Sequence, residues 1–139
     1  MIDTAPVLHW SEIYSVNIAA LDRQHQFLFD TINELQDGLV VGHGTEIMHG
    51  VLQKLIQYAT THFEAEESLM AQYDFPDLAT HRVEHEAFVR NIAKYTEDFR
   101  VSKTDVPASL LLFLQSWLKA HILKSDKAYS RFLNERGVS

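Results

Sequence analysis

The chain has 139 residues, 46% of them hydrophobic and 22% charged, which is the balance of one ordinary globular domain large enough to bury a core. It has no cysteine, so disulfides, thiolate zinc sites and iron–sulfur clusters are excluded. A net charge of −7 and a pI near 5.5 argue against nucleic acid or an anionic membrane as a partner.

Residues 1–17 read as an extended arm bearing Trp10 and Tyr14, and Met1 to Trp10 lack the basic start and apolar run of a secretory signal. Helix A is expected from about Ala19 to Val40, stopping at the Gly42-His43-Gly44 turn. Helix B follows with Thr45 as its cap and continues to about Gln72. The turn Tyr73-Asp74-Phe75-Pro76 separates it from helix C, near Asp77 to Val101. Asp105 as cap and Pro107 in the first turn open helix D. After Ser125-Asp126 a short final helix is expected, about 126–136. No strand pattern and no stretch of about eighteen uninterrupted apolar residues occurs. The expected fold is all-α: an antiparallel up-down-up-down four-helix bundle over about 19–124, with the arm before it and the short helix after.

The apolar stripes of these helices carry polar interruptions. Helix A presents Leu21, His25, Leu28, Ile32, Leu35 and Leu39; helix B presents Leu52, Leu55, Ala59, His62, Glu66 and Leu69. Helix C presents His81, His85, Phe88, Ile92, Tyr95 and Phe99, and helix D presents Leu110, Leu114, Trp117 and His121. Residues at i and i+4 lie roughly 40° apart on a helix, so His62 with Glu66 and His81 with His85 each share a face. Unpartnered polar groups there would cost several kcal/mol each, and a shared metal centre satisfies them together. A single core histidine such as His25 is ordinarily just hydrogen-bonded, but pairs on separate helices converge on metal. With Asp126, five imidazoles and two carboxylates make the ligand set expected of a two-iron centre.

Asp126 lies five residues after His121, roughly 140° away on an ideal helix. Helix D is therefore expected to distort or end between Ile122 and Asp126, through a wide π-type turn, so that the carboxylate returns to the site. Glu64 and Glu67 read as solvated charge, being roughly 200° before and 100° after Glu66. His9, His43 and His49 read as surface residues. Tyr58, Phe29, Trp10, Phe63, Trp117 and Leu118 are the candidates for a dry pocket; most would pack a core whatever the function.

The ordered pattern of H, H-x-x-x-E, H-x-x-x-H and H-x-x-x-x-D resembles the hemerythrin family, in the form of its single-domain bacterial members. The resemblance covers essentially the whole chain, including Leu21-Asp22-Arg23-Gln24-His25 and Trp117-Leu118-Lys119-Ala120-His121, with no departure from the ligand pattern. It implies two irons, one completed by His81, His85 and His121 and the other served by His25 and His62. Glu66 and Asp126 would bridge them with an oxo or hydroxo group, leaving one open position for dioxygen on the two-histidine iron. It also implies that Leu118 borders the oxygen pocket. The expected function is reversible dioxygen binding by a carrier, store or sensor module; the alternative is a di-iron enzyme reducing peroxide, oxygen or nitric oxide. No further acid, base or nucleophile sits on a ligand-bearing stripe, which favours binding over turnover. The expected setting is a cytoplasmic monomer serving an oxygen-using enzyme or a signalling domain, with no membrane or nucleic-acid partner.

Overall fold

The computed structural model describes residues 9–139, so residues 1–8 of the expected arm lie outside the described residues, and the rest is not simply extended, since Glu12–Tyr14 form one short 3-10 turn. Four long helical stretches form the bundle. The first is α1 (Ala19–Val40), and the second is α2 (Gly44–Tyr58), which runs through a π segment (Ala59–Phe63) into α3 (Glu64–Gln72). The third is α4 (Leu78–Arg100), and the fourth is α5 (Val106–Trp117), which continues through a longer π segment (Leu118–Asp126) into α6 (Lys127–Asn134). No strand occurs among the described residues.

The boundaries follow local chemistry with two corrections. Thr45 does not cap the second stretch: His43 holds the cap position and Gly44 is the first helical residue. Gly42, at φ 78°, makes the left-handed turn that lets the chain reverse after α1. Asp105 does precede α5, with the proline in the first turn, but it sits at φ 61° and its side chain makes no capping hydrogen bond.

Two apolar clusters fill the bundle. The larger joins Leu28, Ile32, Leu55, Phe88, Leu110 and Leu114 with Tyr58, Phe63, Trp117, Leu118 and Ile122. The smaller joins Val16, Ile18, Leu21, Met70, Phe75, Tyr129 and Leu133 at the other end. The polar stripe positions lie buried alongside both clusters, which fixes the height of the site in the bundle. By length and composition the continuous stretch Val106–Asn134 could cross a membrane; its Leu110, Leu114, Trp117 and Ile122 are spent on the core.

The expected short final helix is not separate, since the π segment joins α5 to α6 without a break. The end of the arm is tied to α6: Ser130 Oγ donates to the Val16 carbonyl at 2.6 Å, Asn134 Nδ2 to the Asn17 carbonyl at 3.1 Å, and Lys127 Nζ to the Ser15 carbonyl. Asp22 holds the same segment from α1, accepting from Val16 N at 2.8 Å and Ser15 Oγ at 2.6 Å.

Candidate metal centre

Each helical stretch delivers side chains to one level of the bundle. α1 supplies His25, α4 supplies His81 and His85 from successive turns, and both helices are regular. The other two stretches reach the site through π segments. His62 lies in the first, which the i,i+4 spacing of His62 and Glu66 does not signal. His121 and Asp126 both lie in the second, where i→i+5 hydrogen bonding stacks residues five apart. The expected distortion is present, begins earlier than Ile122, and brings Asp126 Oδ1 to 3.0 Å from His121 Nε2.

The six polar stripe residues and Asp126 meet. His25 Nε2 is 3.1 Å from Asp126 Oδ2, His81 Nε2 3.0 Å from Asp126 Oδ1, and His62 Nε2 2.7 Å from Glu66 Oε1. His81 and His85 Nε2 each lie 3.6 Å from a Glu66 oxygen. Donor atoms fall into two groups, each within 4.8 Å: Glu66 with His81, His85 and His121, and His25 and His62 with Glu66 and Asp126. Glu66 belongs to both groups, and Asp126 also touches His81 and His121.

These short separations are not hydrogen bonds. The Nε2 atoms of all five histidines and both oxygens of Glu66 and Asp126 are buried with no acceptable hydrogen-bond geometry. Nine orphaned atoms aimed at a common space would be severely destabilising on their own, and cations placed among them would satisfy every one. Imidazole and carboxylate, with no thiolate or haem ligand, fit a non-haem metal centre.

The electrostatics tell the same story. Burial disfavours charge on His81, but Asp126 and Glu66 outweigh it and raise its pKa to about 9. The same contest at His121, won by Asp126 and Glu84, raises it to about 10. His62 goes the other way, because burial dominates and lowers its pKa. Burial opposes ionisation of Glu66, yet the surrounding His62, His81 and His85 hold its carboxyl well below the usual range. Asp126 is also held low: burial and Glu66 push it up, and His121 and His25 overcome them. Burial, then the two carboxylates, keep Tyr58 and Tyr129 neutral phenols.

Aromatic rings wall the site. Phe63 lies flat on His85 at 3.8 Å between centroids, and Trp117 on His121 at 4.1 Å, so both back the three-histidine group. Tyr58 stacks on His62 at 5.0 Å. Trp10 and Phe29 pack edge to face, 5.4 Å apart, and Leu118 is buried in the core beside Phe63 and Trp117. His9, His43 and His49 are exposed as expected.

Sequence reasoning missed the outer partners. Glu67 is not simply solvated: it accepts the Nδ1 hydrogen of His85 at 2.8 Å and is held by Arg82 Nε at 3.0 Å. Gln24 Oε1 accepts from His62 Nδ1 at 2.5 Å. The only signal in the chain was adjacency, since each is the immediate neighbour of a ligand-stripe residue, Glu66 or His25.

The family model for the hemerythrin HHE cation binding domain matches residues 16–133. The chain belongs to the hemerythrin family. It is 33% identical over 121 residues to a bacteriohemerythrin of Methylococcus capsulatus, covering 87% of this chain and 92% of that one. It is 30% identical over 125 residues to a hemerythrin-like protein of Naegleria gruberi, covering 90% and 92%. A wild-type hemerythrin crystal structure superposes with a TM-score of 0.80 at 30% identity, covering 91% of this chain and 97% of that one. A leucine-to-tyrosine hemerythrin variant gives the same TM-score. Hemerythrin membership thus agrees with the all-helical bundle and with the two clusters of potential ligands.

Proposed function

We propose that this hemerythrin binds dioxygen reversibly at a non-haem centre of two irons. The observation that carries this is the division of seven orphaned ligands into a three-histidine and a two-histidine group sharing a buried carboxylate. His81, His85 and His121 would hold one iron, His25 and His62 the other, and Glu66 and Asp126 both, with an oxo or hydroxo bridge completing the pair. The irons would supply the electrons that dioxygen draws on when it binds and returns when it leaves.

The chain's own contribution is orientation and exclusion of water. Glu67 and Gln24 fix the Nδ1 hydrogens of His85 and His62, so both rings turn their Nε2 lone pairs inward. Phe63 and Trp117 cover the rings of His85 and His121, and with Leu118 in the same core cluster they form an apolar wall that would keep water from that side of the centre. The hydroxyls of Tyr58 and Tyr129 are buried and stay protonated, so neither is a ready base. That arrangement suits binding rather than turnover. We read residues 1–139 as one domain working as a monomeric cytoplasmic carrier, store or sensor module, its acidic surface favouring neither membrane nor nucleic acid.

Anaerobic reduction followed by oxygen titration, monitored optically, tests the proposal: uptake should be stoichiometric and reversed by removing oxygen. Rapid multiple-turnover reduction of peroxide or nitric oxide without reversible uptake would instead establish the enzyme. Leu118→Ala should leave iron content and uptake unchanged while shortening the lifetime of the dioxygen-loaded protein by admitting water, as followed by the decay of its optical spectrum. An unchanged lifetime would remove Leu118 from the barrier.

A further inference from the structure

All five imidazoles turn Nε2 toward the bundle centre, and four of them, His25, His62, His85 and His121, differ in what their Nδ1 meets. His85 ends on Glu67, a carboxylate anchored by Arg82. Glu84 Oε1 stands 3.5 Å from His121 Nδ1 and is itself fixed by Ser125 Oγ at 2.7 Å. In the other group, His62 ends on the neutral amide of Gln24, and His25 Nδ1 is buried without a hydrogen-bond partner. One carboxylate, Glu67, therefore hydrogen-bonds the three-histidine group, with Glu84 in charge contact with His121 but not hydrogen-bonded to it, and one amide backs the two-histidine group.

We propose that Glu67 and Gln24 are positioning residues that make the two halves of the centre unequal in metal hold, an inference that rests on the two-iron reading above. An Nδ1 hydrogen shared with a carboxylate drives electron density into the ring and strengthens Nε2 as a donor. An amide oxygen accepts the same hydrogen but carries no charge to drive it. The three-histidine half is thereby held firmly. The two-histidine half, already poorer by one imidazole, keeps weaker donors and a more exchangeable metal, as befits the half that must admit and release a ligand.

Both positions border open space. Glu67 lines an open groove of about 820 Å³ between the second and third stretches, and Gln24 lines a cavity of about 290 Å³ that reaches His62. Glu67→Gln keeps the side chain's shape and its acceptor oxygen while removing the charge. Gln24→Glu does the reverse.

The test loads wild type and both variants with ⁵⁷Fe, confirms the stoichiometry, and follows iron loss to a chelator together with the Mössbauer signals of the two irons. Glu67→Gln should accelerate the slow phase of iron loss about ten- to hundred-fold and alter the signal of one iron, leaving the fast phase in place. Gln24→Glu should slow the fast phase about ten-fold and alter the other signal. Equal acceleration of both phases, or no change in either variant, would overturn the inference while leaving the two-iron reading standing. A wild type that binds no iron pair would overturn that reading, and this inference with it.

Discussion

Glu66→Ala is expected to abolish the metal pair. Wild type should purify with two irons per chain, and the variant should lose both, because Glu66 is the one residue present in both ligand groups. Its removal takes an anionic donor from each half and leaves the buried imidazoles His62, His81 and His85 facing a hole. The loss of affinity should exceed about a hundred-fold, the upper end of what losing even an outer partner costs. His62→Ala should act similarly but through one half first, since only two imidazoles serve that group. Metal analysis by emission spectrometry checks both. One zinc in the wild type, or two irons retained in both variants, would refute the assignment.

The second large effect is on stability, and it is pH-dependent. Apo-protein should melt well below the iron-loaded form, because the nine orphaned atoms lose their partners. What remains to balance Glu66 and Asp126 is protons on His81 and His121. Those protons are bound more tightly folded than unfolded, at about 9 and about 10 against 6.5. Their stabilisation is therefore complete below pH 6.5 and disappears as pH rises through 9 and 10. The carboxylates have depressed values, so their contribution is present above about pH 4.5 and falls away on acidification. Buried His62 acts oppositely, since below pH 6.5 the unfolded chain takes up a proton there that the folded chain resists, so apo-protein should be most stable near pH 6.5 and weaken on both sides of it. Iron should flatten the alkaline limb, and loading at pH 7 should release about two protons per chain. Thermal melts across pH with and without iron, after verified chelation, check this. Superimposable curves would place the metal outside the core.

Much of this was readable from the chain because an apolar stripe makes each polar interruption conspicuous. His25, His81 and His85 stand out on regular helices, and His121 with Asp126 announced a widened turn by a spacing that an α-helix cannot use. The π segment at Ala59–Phe63 was not readable for the converse reason: His62 and Glu66 at i,i+4 look right for an unbroken helix. Glu67 and Gln24 were hidden because they sit off the core-facing stripe, where periodicity carries no information. Their partners, His85 and His62, lie 18 and 38 residues away, so only the packed bundle reveals the pairing. Thr45 failed as a cap because the helix already begins at Gly44, which is packed against Pro107 and Leu39.

The widened turn of Leu118–Asp126 makes this protein sensitive to length in a way that substitution scanning would not expose. Deleting Ser125 would leave every candidate ligand present and the strong helix formers in place, yet restore a four-residue interval. The carboxylate would gain a tidier helix, but everything downstream would rotate by roughly 100°. Tyr129 and Leu133 would leave the smaller apolar cluster, and Ser130 and Asn134 would release residues 16 and 17. Register, as much as residue identity, is what the last helix contributes.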